Sequence, residues 1–395
     1  MAPRVASLRS SFIRDLLASS CSPGVLSLAG GLPGDDLIPV EAVDRAARRV
    51  LAGGSAALNA LQYGATEGAA ELRDVLGERL GVSGGEVIVT TGSQQGIDLV
   101  SRCLLEAGDV VVVESPTYLG SLQAFRAQGA RVEAIEGDRW GLDIGRLADA
   151  LSAGLRPRLV SVVSEFANPS GATLSPERRR ALVDLARRYR FVILDDNPYG
   201  ELRWSGTSPV GLEEIAATSA DDGRNDCVVS LGSASKILAP GLRVGWLRAP
   251  EEIRRSVVTL KQATDLQTSS LDQRLVAELL GDADWIDAHL ATARETYQRR
   301  CSVLLDAVLG GFGDAVDVDQ PDGGMFLWVR FNRSKIDTME LFRRSIELGV
   351  AFVPGEAFGS RSGRSHAMRL CFATLKSEEL RTAVRRLVRA AQPML

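Results

Sequence analysis

From about residue 86 to 250, short apolar runs alternate with longer stretches whose apolar positions recur every three to four residues. The runs at 86–90, 110–114, 131–135, 159–163, 191–195, 227–231 and 244–247 read as strands. Several are apolar at consecutive positions, as in strands covered on both faces. Between them, 93–106, 118–128, 143–153 and 175–189 read as helices, the last opened by a Ser175 cap and Pro176. Such alternation predicts an α/β fold with a mostly parallel, doubly wound sheet. Beyond residue 269 the pattern changes to a long helical tract at 269–309. Strand 324–331, helix 337–348, strands 350–353 and 367–373 and helix 376–392 follow, making a smaller α+β unit. Residues 1–45 lack strong periodicity and are expected to pack on that unit. The expected division is an N-terminal arm at 1–45, a large domain at 46–285 and a small domain at 286–395.

Composition narrows the function. The chain has 395 residues, 45% of them apolar, enough for a sizeable core, and a net charge of −4. No basic run of the nucleic-acid or anionic-membrane kind occurs. No apolar stretch approaches the roughly 18–20 residues of a membrane span. Five cysteines, scattered and without CxxC spacing, predict a reducing compartment with neither a disulfide framework nor a zinc site. Two histidines supply little for a metal centre or a Ser-His-Asp triad. Arg4, Arg9 and Arg14 faintly suggest a transit peptide, but an arm packed on the protein is favoured. The reading is a soluble, cytoplasmic protein.

Lysine is scarce: Lys236, Lys261, Lys335 and Lys376 are the four among 46 basic residues. Lys236 follows a strand in Gly232-Ser-Ala-Ser-Lys236, with Arg243 seven places on. That setting suits an aldehyde cofactor carrying a phosphate: the amine condenses, while Ser233, Ser235 and the guanidinium hold the dianion. A plain surface loop is the alternative.

Ligands of an open parallel sheet sit at the strands' carboxyl ends, and further polar residues collect there. Thr90-Thr-Gly-Ser-Gln-Gln-Gly96 opens a helix whose N–H groups, with Ser93, suit a phosphate, although taken alone the segment favours a simple serine cap. Tyr118 in Glu114-Ser-Pro-Thr-Tyr118 suits stacking on a flat ring, or anchoring of the next helix. Asn168-Pro-Ser-Gly171 is ordinary turn chemistry whose amide could also bond a phenolic oxygen. Asp195-Asp196-Asn-Pro-Tyr199 ends an apolar strand with carboxylates that need partners, either a protonated pyridine nitrogen or the turn that follows. Arg369, inside an apolar strand, suits a two-pronged grip on a carboxylate, or a structural ion pair.

Together, Thr91-Gly-Ser-Gln-Gln95, Ser115-Pro-Thr-Tyr118, Asn168-Pro-Ser-Gly171, Asp196-Asn-Pro-Tyr199, Ser233-Ala-Ser-Lys236 with Arg243, and Arg369 resemble the fold-type-I pyridoxal-phosphate aminotransferases. Within these, the chain is most similar to the aminoadipate/kynurenine branch of class I/II. Leu28-Ala-Gly-Gly-Leu-Pro33, Leu61-Gln-Tyr-Gly-Ala-Thr-Glu-Gly68, Gly323-Gly-Met-Phe326 and Val350-Ala-Phe-Val-Pro354 extend the likeness over nearly the whole chain. The resemblance implies pyridoxal 5'-phosphate as cofactor and a reaction moving an amino group from an L-amino acid to a 2-oxo acid. It implies Lys236 as the Schiff-base lysine and proton shuttle, and Asp196 as partner of the ring nitrogen. Tyr199 and Asn168 would bond the ring's 3-oxygen, and Tyr118 would stack on the ring. Ser93, Gln94, Ser233, Ser235 and Arg243 would form the phosphate cup. Arg369 would clamp the substrate α-carboxylate, with Gly31, Asn168 and Glu165 also against the substrate. Tyr63 would reach the neighbouring subunit's phosphate, which implies a homodimer with shared sites.

Departures from the family bear on the substrate. Ala167-Asn-Pro-Ser-Gly171 replaces the usual Gln-Asn-Pro-Thr-Gly, and Ser7 stands nearest the arginine that reads a distal carboxylate, with Arg9 two places on. A dicarboxylic donor is therefore not expected. Glu165, Asp35 or Asp36 would instead favour a cationic or guanidino side chain. Ser233-Ala-Ser-Lys236 also fits the S-x-x-K pattern of serine β-lactamases, but no lysine here precedes the Thr-Gly those enzymes need. Another pyridoxal-phosphate outcome (elimination, cyclisation, oxidation or decarboxylation) is the main alternative. A regulatory effector domain is less expected, because the chain begins almost at its arm.

Overall fold

The computed structural model describes residues 24–220, 223–332, 336–358 and 366–395. Its main sheet has eight strands in the order Ile88–Thr90, Gly245–Arg248, Val228–Ser233, Val192–Asp196, Pro157–Val162, Val110–Ser115, Arg131–Asp138 and Gly141–Leu142. The four pairings from Val228–Ser233 to Arg131–Asp138 are parallel. The expected fold is therefore present. One expected strand differs in direction: Gly245–Arg248 runs antiparallel to both neighbours, because the short turn Pro240–Leu242 sends the chain straight back. Ser233 lies opposite Gly245, which lies opposite Thr90. The carboxyl ends of six strands and the start of a seventh thus meet on one edge.

Helices cover both faces of this sheet. Ser93–Leu104, Leu119–Ala127 and Glu251–Gln262 flank one; Ile144–Ser152, Pro176–Tyr189 and Leu212–Thr218 flank the other. Each set closes its own apolar layer, so buried valine and isoleucine run continuously along the central strands.

The tract expected at 269–309 is two helices, Ser270–Gly281 and Ala283–Phe312. Asp282 separates them and caps the second, accepting from the Trp285 N–H at 3.1 Å. Ile286 and Leu290 pack with the large domain, whereas residues from Ala293 to Phe312 pack with the small one. One helix therefore carries both cores. The small domain is an antiparallel sheet, Val316–Val318, Phe326–Phe331, Ala367–Cys371 and Val353–Pro354, backed by Thr338–Glu347 and Ser377–Ala391.

Residues 1–23 of the N-terminal arm lie outside the described residues, as do Ser7 and Arg9. The later part of the arm divides between the two domains. Leu26–Ser27 pairs in parallel with Val350–Ala351, and Leu28, Ala29 and Leu37 join the small-domain core. Val40–Val50, which was not read as a helix, turns Ala42, Ala46 and Val50 onto the large-domain helix Ser270–Gly281. No helix among the described residues is long and apolar enough to cross a membrane.

Candidate active site

A cavity of about 380 Å³ opens at the shared sheet edge. Around it the structure brings together Gly31, Ser93, Gln94, Tyr118, Asn168, Asp196, Tyr199, Ser233, Ser235, Lys236, Arg243 and Arg369. These residues are up to 338 positions apart in the chain.

At one end, Ser93–Leu104 begins at the cavity with no side chain capping it. Its free N–H groups and dipole make that end an anion cradle. Gly92, which leads into it, has φ +75, and a Cβ there would come 2.5 Å from Arg243 Nη2. Arg243 is itself left-handed at φ 53, and its guanidinium donates to the Thr91 carbonyl (3.4 Å), the Pro240 carbonyl (3.2 Å) and Ser235 Oγ (3.5 Å). Ser233 Oγ accepts from the Ser235 N–H at 3.1 Å, shaping the turn that presents Lys236.

Lys236 Nζ donates to the Gly31 carbonyl at 2.7 Å. Burial, reinforced by Arg369 and Arg243, pulls its pKa down to about 8, against the opposing pull of Cys371 and Asp196. Asp196 lies across the cavity, buried, and its Oδ1 has no hydrogen-bond partner. Burial, then Asp195 alongside, raises its pKa to about 7, while Ser93 and Lys236 draw it back. Successive strand residues point to opposite faces. Asp195 therefore turns away and accepts from the Ser164 N–H (3.2 Å) and Oγ (3.0 Å). Tyr199 is held as a neutral phenol, its pKa raised by burial and by Tyr118 and Asp196, and it meets Phe326 edge-on at 5.8 Å.

At the far end, Arg369 is buried in strand Ala367–Cys371. Nη1 donates to Asn168 Oδ1 at 2.7 Å and Nη2 to the Ala29 carbonyl. Phe326 and Phe358 lie 4.5 and 5.2 Å from the guanidinium carbon. Its Nε has no partner. No acid pairs with this buried cation among the described residues, and its planar fork suits a carboxylate.

Four residues singled out from the sequence stand outside the cavity. Glu165 is not in the cavity: Arg203 Nη2 donates to it at 2.7 Å and Asn197 Nδ2 at 3.3 Å, behind the sheet edge. Arg179 lies 3.9 Å away and completes a buried ionic group. Asp36 is held by Arg300 at 2.7 Å, and Asp35 is exposed without lining the cavity. The acids read as recognising a cationic side chain are thus spoken for or remote. Tyr63 is 78% exposed and lies outside the cavity of its own chain. Sequence reasoning missed the apolar wall of Leu32, Val163 and Phe358. Leu32 lies in the apolar 28–33 segment and Val163 ends the strand read at 159–163, while Phe358 left no local signal. Among the described lining residues, Asp196 is the sole carboxylate, and Lys236, Arg243 and Arg369 are the cations.

The donor set fits pyridoxal 5'-phosphate. The orphaned Asp196 Oδ1 lacks a donor, and a protonated ring nitrogen is one. The helix start with Arg243 suits the phosphate dianion, Tyr118 the ring face, and Lys236 the aldehyde. Fold and site together define a fold-type-I pyridoxal-phosphate enzyme. Residues 23–387 match the family Aminotransferase class I and II, and the chain belongs to that family. It is 38% identical to the 2-aminoadipate transaminase of Thermus thermophilus, over 98% of this chain and 95% of that one. It is 37% identical to the aromatic-amino-acid aminotransferase 1 of Thermococcus litoralis, over 96% and 91%. Among solved structures, the α-aminoadipate aminotransferase LysN of Thermus thermophilus, complexed with N-(5'-phosphopyridoxyl)-L-leucine, superposes with TM-score 0.92 at 36% identity, covering 100% and 97% of the two chains. The protein is a pyridoxal-phosphate-dependent aminotransferase acting on an amino acid and a 2-oxo acid.

Proposed function

We propose that the preferred amino donor has one carboxylate and an apolar or aromatic side chain. The observation that carries this reading is the cation inventory of the cavity. Arg243 is committed to the cradle and Arg369 to one carboxylate, which leaves no cation among the described lining residues for a second. The wall of Leu32, Val163 and Phe358 supports an apolar side chain. Pairing of Glu165 with Arg203, and of Asp36 with Arg300, removes the support for a cationic donor. The relative named for aromatic amino acids and the leucine-derived adduct in LysN accord with this preference.

Bound in this site, pyridoxal phosphate supplies an aldehyde for the amino group and a ring that withdraws the electrons left when the Cα proton departs. The protein's own groups do the rest. Arg369 orients the donor through its α-carboxylate. Lys236 Nζ, with its pKa lowered to about 8, spends an appreciable fraction of time neutral near pH 7 and can carry the Cα proton. Asp196 holds the proton of the ring nitrogen, and Tyr199 and Asn168 present hydrogen-bonding groups to the same cavity.

The working unit we propose is a homodimer with shared sites, in the cytoplasm. Leu58 and Leu61, each 71% exposed on Gly54–Leu61, lie next in sequence to the exposed Tyr63 and support a covering second copy. Four described cysteines without disulfide partners accord with a reducing compartment.

A donor panel tests the substrate. kcat/KM for leucine and phenylalanine should exceed that for arginine, glutamate and 2-aminoadipate by about tenfold or more. Glutamate or 2-aminoadipate as the one good donor would overturn the reading.

A further inference from the structure

Lys261 is a buried lysine with no part in the cavity: it is 0% exposed on Glu251–Gln262, on the far side of the cradle. A buried ammonium is costly unless every proton has an acceptor. Nζ donates to Asp265 (2.9 and 3.0 Å), Gln95 Oε1 (3.0 Å) and Thr268 Oγ1 (3.2 Å). Gln95 Nε2 donates to Asp265 at 2.6 Å, which closes a knot between two helices.

The knot converges on Thr91. Its hydroxyl donates to Asp265 Oδ2 at 3.0 Å and lies 3.2 Å from Thr268 Oγ1, while its N–H donates to Gln95 Oε1 at 2.8 Å. The Thr91 carbonyl, in turn, accepts from Arg243 at 3.4 Å. Thr91 immediately precedes Gly92, whose left-handed backbone opens the helix start; the knot holds the Thr91 side chain and N–H, while Thr90 holds Gly92 through the Gly92 N–H (2.8 Å) and carbonyl (3.1 Å). An unsupported anion cradle would have to order itself on binding; one already held loses no such freedom.

We infer that Lys261, with Asp265 and Gln95, is a positioning residue for the cofactor phosphate: it pre-sets the Thr91–Gly92 peptide and Arg243 without touching the ligand. The competing account is that the knot merely ties two helices together. The two accounts differ in their dependence on phosphate.

The test measures dissociation constants of the apoprotein for pyridoxal phosphate and for pyridoxal, which lacks the phosphate, in wild type, Lys261→Met and Thr91→Val. Thr91→Val removes only the hydroxyl link and leaves the Lys261–Asp265 pair in place, so it remains readable if Lys261→Met fails to fold. The expected result is a Kd for pyridoxal phosphate raised about tenfold in Thr91→Val and further in Lys261→Met, with pyridoxal changed by less than about twofold. An unchanged Kd for pyridoxal phosphate alongside a lowered Tm, or equal weakening of both ligands, would overturn the inference. A wild-type protein with no preference for the phosphorylated form would instead sink the cradle assignment itself.

Discussion

Glu114 shows how far a single side chain is governed by its surroundings. It is buried near the end of strand Val110–Ser115, accepting from the Val163 N–H at 3.0 Å. Burial, with Asp195 adding to it, pushes its pKa up to about 8. The unfolded chain releases this proton near 4.5, so between 4.5 and 8 the folded state binds more protons than the unfolded. Stability contributed by Glu114 must therefore fall as pH rises through that window and level off above about 8. Glu114→Gln keeps the shape and the acceptor but cannot ionise. We expect its Tm to decline less than that of wild type between pH 5 and 8.5. Parallel Tm curves for the two proteins would contradict the buried, protonated assignment. Glu165 is as deeply buried, and it is paired instead with Arg203 at 2.7 Å and Arg179 at 3.9 Å.

At the scale of elements, chemistry depends on how closely backbones approach at the sheet edge. Gly245 begins the reversed strand, and a Cβ there would lie 2.7 Å from Gly92 C and Ser93 N and 2.9 Å from the Gly232 carbonyl. All three are backbone atoms, so none can swing aside. Gly245→Ala should push the helix start away from Arg243, costing about 1–3 kcal/mol of stability and weakening pyridoxal-phosphate binding. Gly241→Ala is the control, since nothing lies within 4 Å of its Cβ position. Equal behaviour of the two variants in thermal melts and cofactor titration would refute the close-approach argument.

At the scale of the whole molecule, the helix Ala283–Phe312 packs into both cores, and the cavity takes its lining from the main sheet and from Phe358 and Arg369 of the small domain. The proposed dimer belongs to this scale too. Leu61→Asp places a charge in the exposed apolar stretch, and we expect it to yield monomers in sedimentation with turnover reduced at least about tenfold. A fully active monomer would remove the second copy from the site.

Residue order alone was enough to read the strands, most helices around the main sheet, and the motifs that end them. Apolar runs covered on both faces leave a periodic trace, and an amine, a carboxylate and an arginine at strand ends have few uses besides a charged ligand. Directions were not legible in this way. The reversal of Gly245–Arg248 depends on a three-residue turn, and the break at Asp282 on one cap. Whether Glu165 faces substrate or sheet depends on Arg203, 38 positions away, and the duty of Lys261 on Gln95, 166 positions away. Local pattern encodes which face of an element is apolar; the partner of a buried charge comes from distant chain, and only folding brings the two together.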